Sequence, residues 1–282
     1  MEYHNPQLPE GINVSQTRPL LDFLRLLGGL LVIAAIVFGM LALLADRLAK
    51  YIPFDKEVEI ASRFATDVPS SGPMGAYLQQ LADRIVAAQG LPAGMRIRVH
   101  YMDNSTVNAF ATLGGNVVFF RGLVAKLPSE NALAMVMSHE IAHVKLRHPI
   151  STFGRGLAIG IAVATVSAGT GSDIAGRTLG NAGLVTALTF SRSQERAADA
   201  DALRTLAAMY GHVAGADEVF KLLQQESARG LGTLPAVLRS HPFDQDRIDA
   251  IARTAAANGW ALQGRTQPLP EEIRRLAEKP NE

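Results

Sequence analysis

His139-Glu140-Ile141-Ala142-His143 reads His-Glu-x-x-His, inside a run with helical character. Successive residues of an α-helix turn by roughly 100°, so residues four apart diverge by only about 40°. His139 and His143 therefore share a face, one turn apart. Two imidazoles so placed can hold one zinc ion, with Glu140 beside them as base for a water that the metal activates. The chemistry is hydrolysis of an amide bond. Five residues alone are a modest signal, arising by accident about once in a hundred chains of this length. The surroundings must carry part of the weight.

A hydrolytic zinc site has three protein ligands and one open position. The metzincin spacing would place Gly and His where this chain has Leu146 and Pro149, so that class is excluded. Ser193 to Asp199 is the best source of a third ligand. Glu195 and Asp199 lie one helical turn apart. Glu195 can bind the metal, and Asp199 can accept the ring N–H of a ligand histidine, most plausibly His139. The same residues, with Arg192, Arg196 and Arg204 nearby, also suit a solvated charged face. His241 is the main rival as ligand, or a catalytic group on the metal's open side; His212 is a distant rival.

The elements that must position these groups show in the pattern. Ser129 and Glu130 open a helix that carries Leu133, Val136, Met137, Ile141 and Val144. It should end near His148-Pro149, because a residue before proline is pushed out of helical geometry. His148, nine positions after His139, projects to the opposite face and reads as a surface residue. Leu78, Leu81, Ile85 and Val86 mark a helix over 77–89, stopped by Gly90-Leu91-Pro92. Arg96 to Met102 alternates as a half-buried strand. Val107–Thr112 and Val117–Phe120 read as two strands joined by Gly114-Gly115-Asn116. The strand at Asn108-Ala109-Phe110 can add an extended substrate as a further strand. That mode reads backbone, and suits unfolded segments.

Leu26 to Ala45 is uncharged and apolar for about twenty residues, enough to cross a bilayer as a helix. It is long for a signal sequence and lacks a small-x-small cleavage site, so it reads as a retained anchor. Arg18 and Arg25 before it nearly balance Arg47, Lys50 and Lys56 after it, and the positive-inside rule does not assign a side. Tyr51 to Ser71 is a charged juncture, ending in Pro69, Gly72 and Pro73, that reads as a loop. Apolar stretches at 157–169 and 182–188 read as buried or membrane-adjacent helices. The 282-residue chain has a net charge of +1 and no cysteine. This excludes thiolate ligands and disulfides, and nothing points to nucleic-acid binding.

Four motifs in order resemble the membrane-associated zinc metallopeptidases that include HtpX and the CAAX prenyl protease. They are Asn108-Ala109-Phe110-Ala111 with Gly114-Gly115, Ser138 to His143, Glu195 to Asp199, and Ser240-His241-Pro242 with Asp246-Arg247-Ile248. The likeness spans roughly residues 54–256. It implies His139, His143 and Glu195 as ligands to one Zn2+ per chain, with Glu140 as catalytic acid and base. It also implies a mainly α fold with a small β-sheet (α+β), a zincin-like domain behind one transmembrane helix. With one clear span, the chain looks more like the single-anchor quality-control members than the prenyl-processing ones. The expected organisation is a tail at 1–25, an anchor at 26–45, a juxtamembrane segment at 46–73, a peptidase domain at 74–256 and a tail at 257–282. The expected protein is single-pass in a bacterial inner membrane and acts on unfolded or membrane-associated proteins. The alternative is a zinc-binding, chaperone-like interaction module with gated or absent proteolysis.

Overall fold

The computed structural model describes residues 18–49, 51–63, 72–157, 189–228, 241 and 245–278. Beyond Leu157, the apolar stretches expected at 157–169 and 182–188 lie outside them. In chain order the elements are α1 (Pro19–Ala49), α2 (Phe54–Ser62), α3 (Pro73–Gln89), β1 (Arg98–Met102), β2 (Ala109–Ala111) and a 3-10 turn (Leu113–Gly115). There follow β3 (Asn116–Phe120), α4 (Arg121–Val124), α5 (Glu130–Lys145), α6 (Arg192–Tyr210), α7 (Glu218–Ala228), α8 (Gln245–Asn258) and α9 (Glu271–Glu278). Residues 148–157 are also helical. The chain is thus mostly helical with one small sheet, as the resemblance implied.

The fold is built around α5. Ser129 caps it by accepting a hydrogen bond from the Ala132 N–H at 3.1 Å. Every residue from Glu130 to Val144 is buried, so the helix has no solvent face. Leu78, Leu81 and Ile85 of α3 and Leu203 and Leu206 of α6 join Leu133, Met137 and Ile141 in one core. The helix stops at Lys145, earlier than expected. Leu146 caps it, and Arg147 turns into the left-handed region at φ 63°. Pro149 is not what stops it. Proline lacks only an N–H that a first turn leaves unbonded, and here it sits at the start of the next helical stretch.

The three strands take the order β1-β3-β2. β1 runs parallel to β3, pairing Val99 with Val117 and Tyr101 with Phe119. β2 runs antiparallel, pairing Phe110 with Val118. β2 is therefore an edge strand, and the hairpin read from Gly114-Gly115 is present. Both glycines adopt positive φ, 73° and 77°. At Gly115 a Cβ would also lie 2.0 Å from the Arg96 carbonyl oxygen.

α1 is longer than the expected anchor, with Pro19 at its first position. The 23 residues Pro19–Leu41 are long and apolar enough to cross a membrane, and none packs inside the protein. Two segments expected to be irregular are not. The juxtamembrane segment contains α2, whose Glu57 is buried and accepts a hydrogen bond from the Gly114 N–H at 2.9 Å. A charge run hides this, because buried and solvated carboxylates look alike in sequence. The expected C-terminal tail contributes Leu269, Ile273 and Ala277 to the main core. Its Gln267 carbonyl accepts from the Glu130 N–H at 2.7 Å, at the start of α5.

Gly115→Ala should destabilise the fold by about 1–3 kcal/mol or more, from left-handed strain with the clash added. Gly211→Ala has similar φ, 76°, but open space around the new Cβ, and should cost only about 1–2 kcal/mol. Urea midpoints of the two variants measure the difference.

Candidate metal centre

α5 and α6 pack side by side and aim their polar residues at one another. Ser191 caps α6 in a reciprocal capping box with Gln194. This fixes the helix start so that Glu195 falls in its first turn and Asp199 one turn later. Both face inward, with Glu195 1% and Asp199 6% exposed, which excludes the solvated-face reading.

Ligating atoms of His139, His143, Glu195 and His241 all lie within 4.8 Å of one another, and all four residues are buried. His139 Nε2 is 3.0 Å from His143 Nε2 and 3.4 Å from Glu195 Oε2. His143 Nε2 is 3.5 Å from Glu195 Oε1. His241 Nδ1 lies 3.1 Å from Glu195 Oε1 and 3.2 Å from His139 Nε2. His212, the distant rival, is elsewhere, with its Nδ1 against the Ala214 N–H.

The outer contacts settle the tautomers. His139 Nδ1 donates to Asp199 Oδ1 at 2.8 Å, so Nε2 is the atom that faces the cluster and would present its lone pair to a metal once its proton is displaced. His143 Nδ1 is 2.9 Å from His148 Nδ1. For His143 Nε2 to present a lone pair too, Nδ1 must carry the proton and His148 accept it. His148 is 8% exposed, not a surface residue. The helical projection failed because the chain leaves α5 before reaching it. Phe190 stacks on the His143 ring with centroids 3.9 Å apart and closes that side.

Arg247 of α8 was quoted in a motif but given no role by the sequence. Its Nε and Nη2 donate to the two oxygens of Asp199, each at 2.8 Å. Its Nη1 lies 2.9 Å from Glu195 Oε2, and its guanidinium sits 5.1 Å from the Phe220 ring centre. Nothing local marks an arginine as the partner of carboxylates about fifty residues earlier.

Glu140 points the same way as the cluster. The Ala111 N–H of β2 donates to its Oε2 at 2.8 Å, and its Oε1 is 3.4 Å from His241 Nε2. Asn108 Oδ1, beside the same strand, is buried with no hydrogen-bond partner.

Converging lone pairs in a buried space repel unless a cation lies between them. With the histidines neutral, as metal ligands must be, Glu140, Glu195 and Asp199 bring three negative charges and Arg247 one positive, a balance of minus two that a divalent ion neutralises. Nitrogen and carboxylate donors with no sulfur suit zinc. The donor set therefore fits a zinc ion. The pull on cations shows in the titrations. Burial pushes His139 down, but its bonds to Asp199 and Glu195 more than reverse this and raise it to about 10. Burial also opposes ionisation of Glu195, yet His241 and His139 hold it far below the usual carboxylate range. Burial, then the charges of His139 and His241, push His143 well down, which leaves it neutral.

The sequence profile of Peptidase family M48 matches residues 74–255. The chain belongs to this family. It is 29% identical over 202 residues to the mitochondrial metalloendopeptidase OMA1 of Schizosaccharomyces pombe, across 70% of this chain and 58% of that one. It is 31% identical over 199 residues to the beta-barrel assembly-enhancing protease of Escherichia coli, across 64% and 38%. The putative protein of that name in Vibrio cholerae is 30% identical over 191 residues, across 61% and 37%. The chain thus spans between about a third and three fifths of these relatives' lengths. The similarity carried by these matches is to this group of M48 proteins, not specifically to HtpX or the CAAX prenyl protease.

Glu195→Ala should drop bound zinc well below one per chain after dialysis, read by atomic absorption. Unchanged content would hand the third position to His241. Zinc must also displace the proton that His139 holds at every pH below about 10. Loading at pH 7 should therefore release about one proton per zinc and weaken about tenfold per unit of pH lowered. Calorimetry in buffers of different ionisation heat counts the protons.

Proposed function

We propose that this chain is a zinc endopeptidase anchored by α1 and that it cuts unfolded or membrane-associated proteins in protein quality control. The observation that carries the reading is the tether of Glu140. One carboxylate oxygen is held by the edge strand and the other faces the imidazole cluster. A module that only bound proteins through a structural metal would have no need of an acid in that place.

His139, His143 and Glu195 would hold the zinc, which when bound acidifies water and polarises a carbonyl. The remaining work falls to the chain. Asp199 holds the His139 ring by its Nδ1 proton, and Arg247 holds Asp199. Glu140 Oε1 faces the cluster, takes a proton from water there and returns it to the leaving nitrogen. The Ala111 N–H keeps that carboxylate from turning away.

Specificity in this reading comes from backbone. The ladder to β3 uses the Asn108 carbonyl and the Thr112 N–H, and alternation turns the groups of Ala109 and Ala111 away from β3, where Glu140 holds the Ala111 N–H. An extended peptide laid along that edge runs beside Glu140. The unpartnered Asn108 Oδ1 supports a substrate contact at this strand. Such pairing ignores side-chain identity, as a protease for unfolded chains requires. The relatives' names, a metalloendopeptidase and a protease that enhances beta-barrel assembly, agree with protein substrates of this kind. The apolar length of α1 supports a single membrane pass.

One observation favours the second reading, a binding module with gated proteolysis. With His241 Nδ1 inside the cluster, four side chains converge and all four could hold one ion, a donor count that suits a structural site better than a hydrolytic one. Proteolysis then requires His241 to withdraw, after which it can face the developing oxyanion instead.

Glu140→Gln should keep one zinc per chain and lose casein cleavage by about 10²–10⁴-fold. Chelator-sensitive cleavage that survives in this variant would remove Glu140 from the mechanism.

A further inference from the structure

Arg147 is the one non-glycine residue with positive φ among the described residues. The left-handed region disfavours any side chain, and residues held there need their surroundings to compensate. Its position explains why the turn matters. Arg147 follows the cap of α5, and its carbonyl accepts from the Ser151 N–H at 3.2 Å, so it ends one helix and starts the next. A residue with ordinary φ would let α5 run on and carry His148 to the far face. The left-handed turn instead brings His148 Nδ1 to 2.9 Å from His143 Nδ1. Helices that end this way mostly use glycine at this place.

An arginine stands there, and its buried side chain reaches out of the peptidase domain. Arg147 Nη2 donates to the Ile52 carbonyl at 2.6 Å. Its Nη1 is 2.9 Å from Glu57 Oε2. Its guanidinium lies 5.6 Å from the Phe54 ring centre. All three partners belong to residues 52–57, before the stretch that matches the family profile. The same segment has its own small core, where Ala49, Ile52, Ile60 and Ala61 pack with Leu113, Ile150 and Phe153.

We propose that the juxtamembrane segment is a working part of the metal centre, in which Ile52, Phe54 and Glu57 hold Arg147 in a left-handed turn that sets His148 against the zinc ligand His143. Arg147 and Glu57 are positioning residues: neither reaches the ligating atoms. Their effect passes through His148, which fixes the His143 tautomer. The proposal rests on the zinc reading above and extends the functional unit to residues outside the matched domain.

Backbone preference provides the test, using the full chain in detergent and zinc titrated against a chromophoric chelator. Arg147→Ala loses the tether and disfavours the turn, and should weaken zinc binding about 10–100-fold. Arg147→Gly loses the same tether but adopts positive φ freely, and should stay within about threefold of wild type. Glu57→Gln should weaken zinc severalfold beside Arg147 and change nothing beside Gly at 147, a comparison that stands even if Arg147→Ala fails to fold. A role in stability alone would leave the zinc affinity of the folded alanine and glycine variants alike, and would give Glu57→Gln the same effect in both backgrounds; either result overturns the proposal. A wild-type chain that binds no zinc overturns the functional reading and this one with it. Normal wild-type binding with equal variants overturns only this one.

Discussion

The structure depends on lone pairs being brought together where water cannot separate them. Three imidazoles and a carboxylate meet in a buried space, and their mutual repulsion is large at low dielectric. A proton on His139 relieves part of it, and a metal ion would relieve it for all four groups. The surrounding charges are set for that role: Arg247 neutralises one of the three charges on Asp199, Glu195 and Glu140, and the remaining two match a divalent ion. Removing one member of such a group leaves the others buried without partners, which is why the ligands and their supports act together. The full burial of α5 follows from the same need. A helix with a solvent face would let water screen the two histidines it carries.

The sheet has a second function besides closing the core. Its edge strand ends at Ala111, whose N–H grips Glu140 from the side opposite the imidazoles. Glu140 and the edge strand are thereby fixed to one another. A peptide that pairs with β2 takes its register from that strand, and register decides which carbonyl lies beside Glu140. The geometry at Gly115, where backbone packs against the Arg96 carbonyl, holds the hairpin in place.

How much of this was legible in the sequence depends on distance along the chain. His139 with His143, and Glu195 with Asp199, are pairs one turn apart, and helical period alone brings each onto one face. The core positions Leu78, Leu81, Ile85, Leu133 and Ile141 follow from the same period. The Gly114-Gly115 hairpin was legible because positive φ has a residue signature. Arg147 lacked one, since nothing in an arginine announces a left-handed backbone, and His148 was misplaced as a result. Arg247 and Glu57 were illegible for another reason. A buried charge is identified by its partner, and their partners lie 48 and 90 residues away in sequence. The packed C-terminal segment was missed because α9 is short and mostly charged, with only Ile273 and Ala277 turned inward.

α1 and the imidazole cluster are not independent parts of the fold. Here the chain between them is structured throughout most of its length. Ala49 at the end of α1 is buried against Leu113 and Ile150, and these neighbours adjoin the hairpin and the helical stretch after His148. A displacement of the end of α1 would therefore act on the two places that matter most. One is the turn that presents β2, through Glu57 and Gly114. The other is the turn that presents His148, through Arg147. Covalent continuity alone would not couple these; the buried ion pair and the small apolar cluster do, because neither can slide without exposing charge or apolar surface. The position of the end of α1 against the hairpin is thus a property of packing, not of linker length.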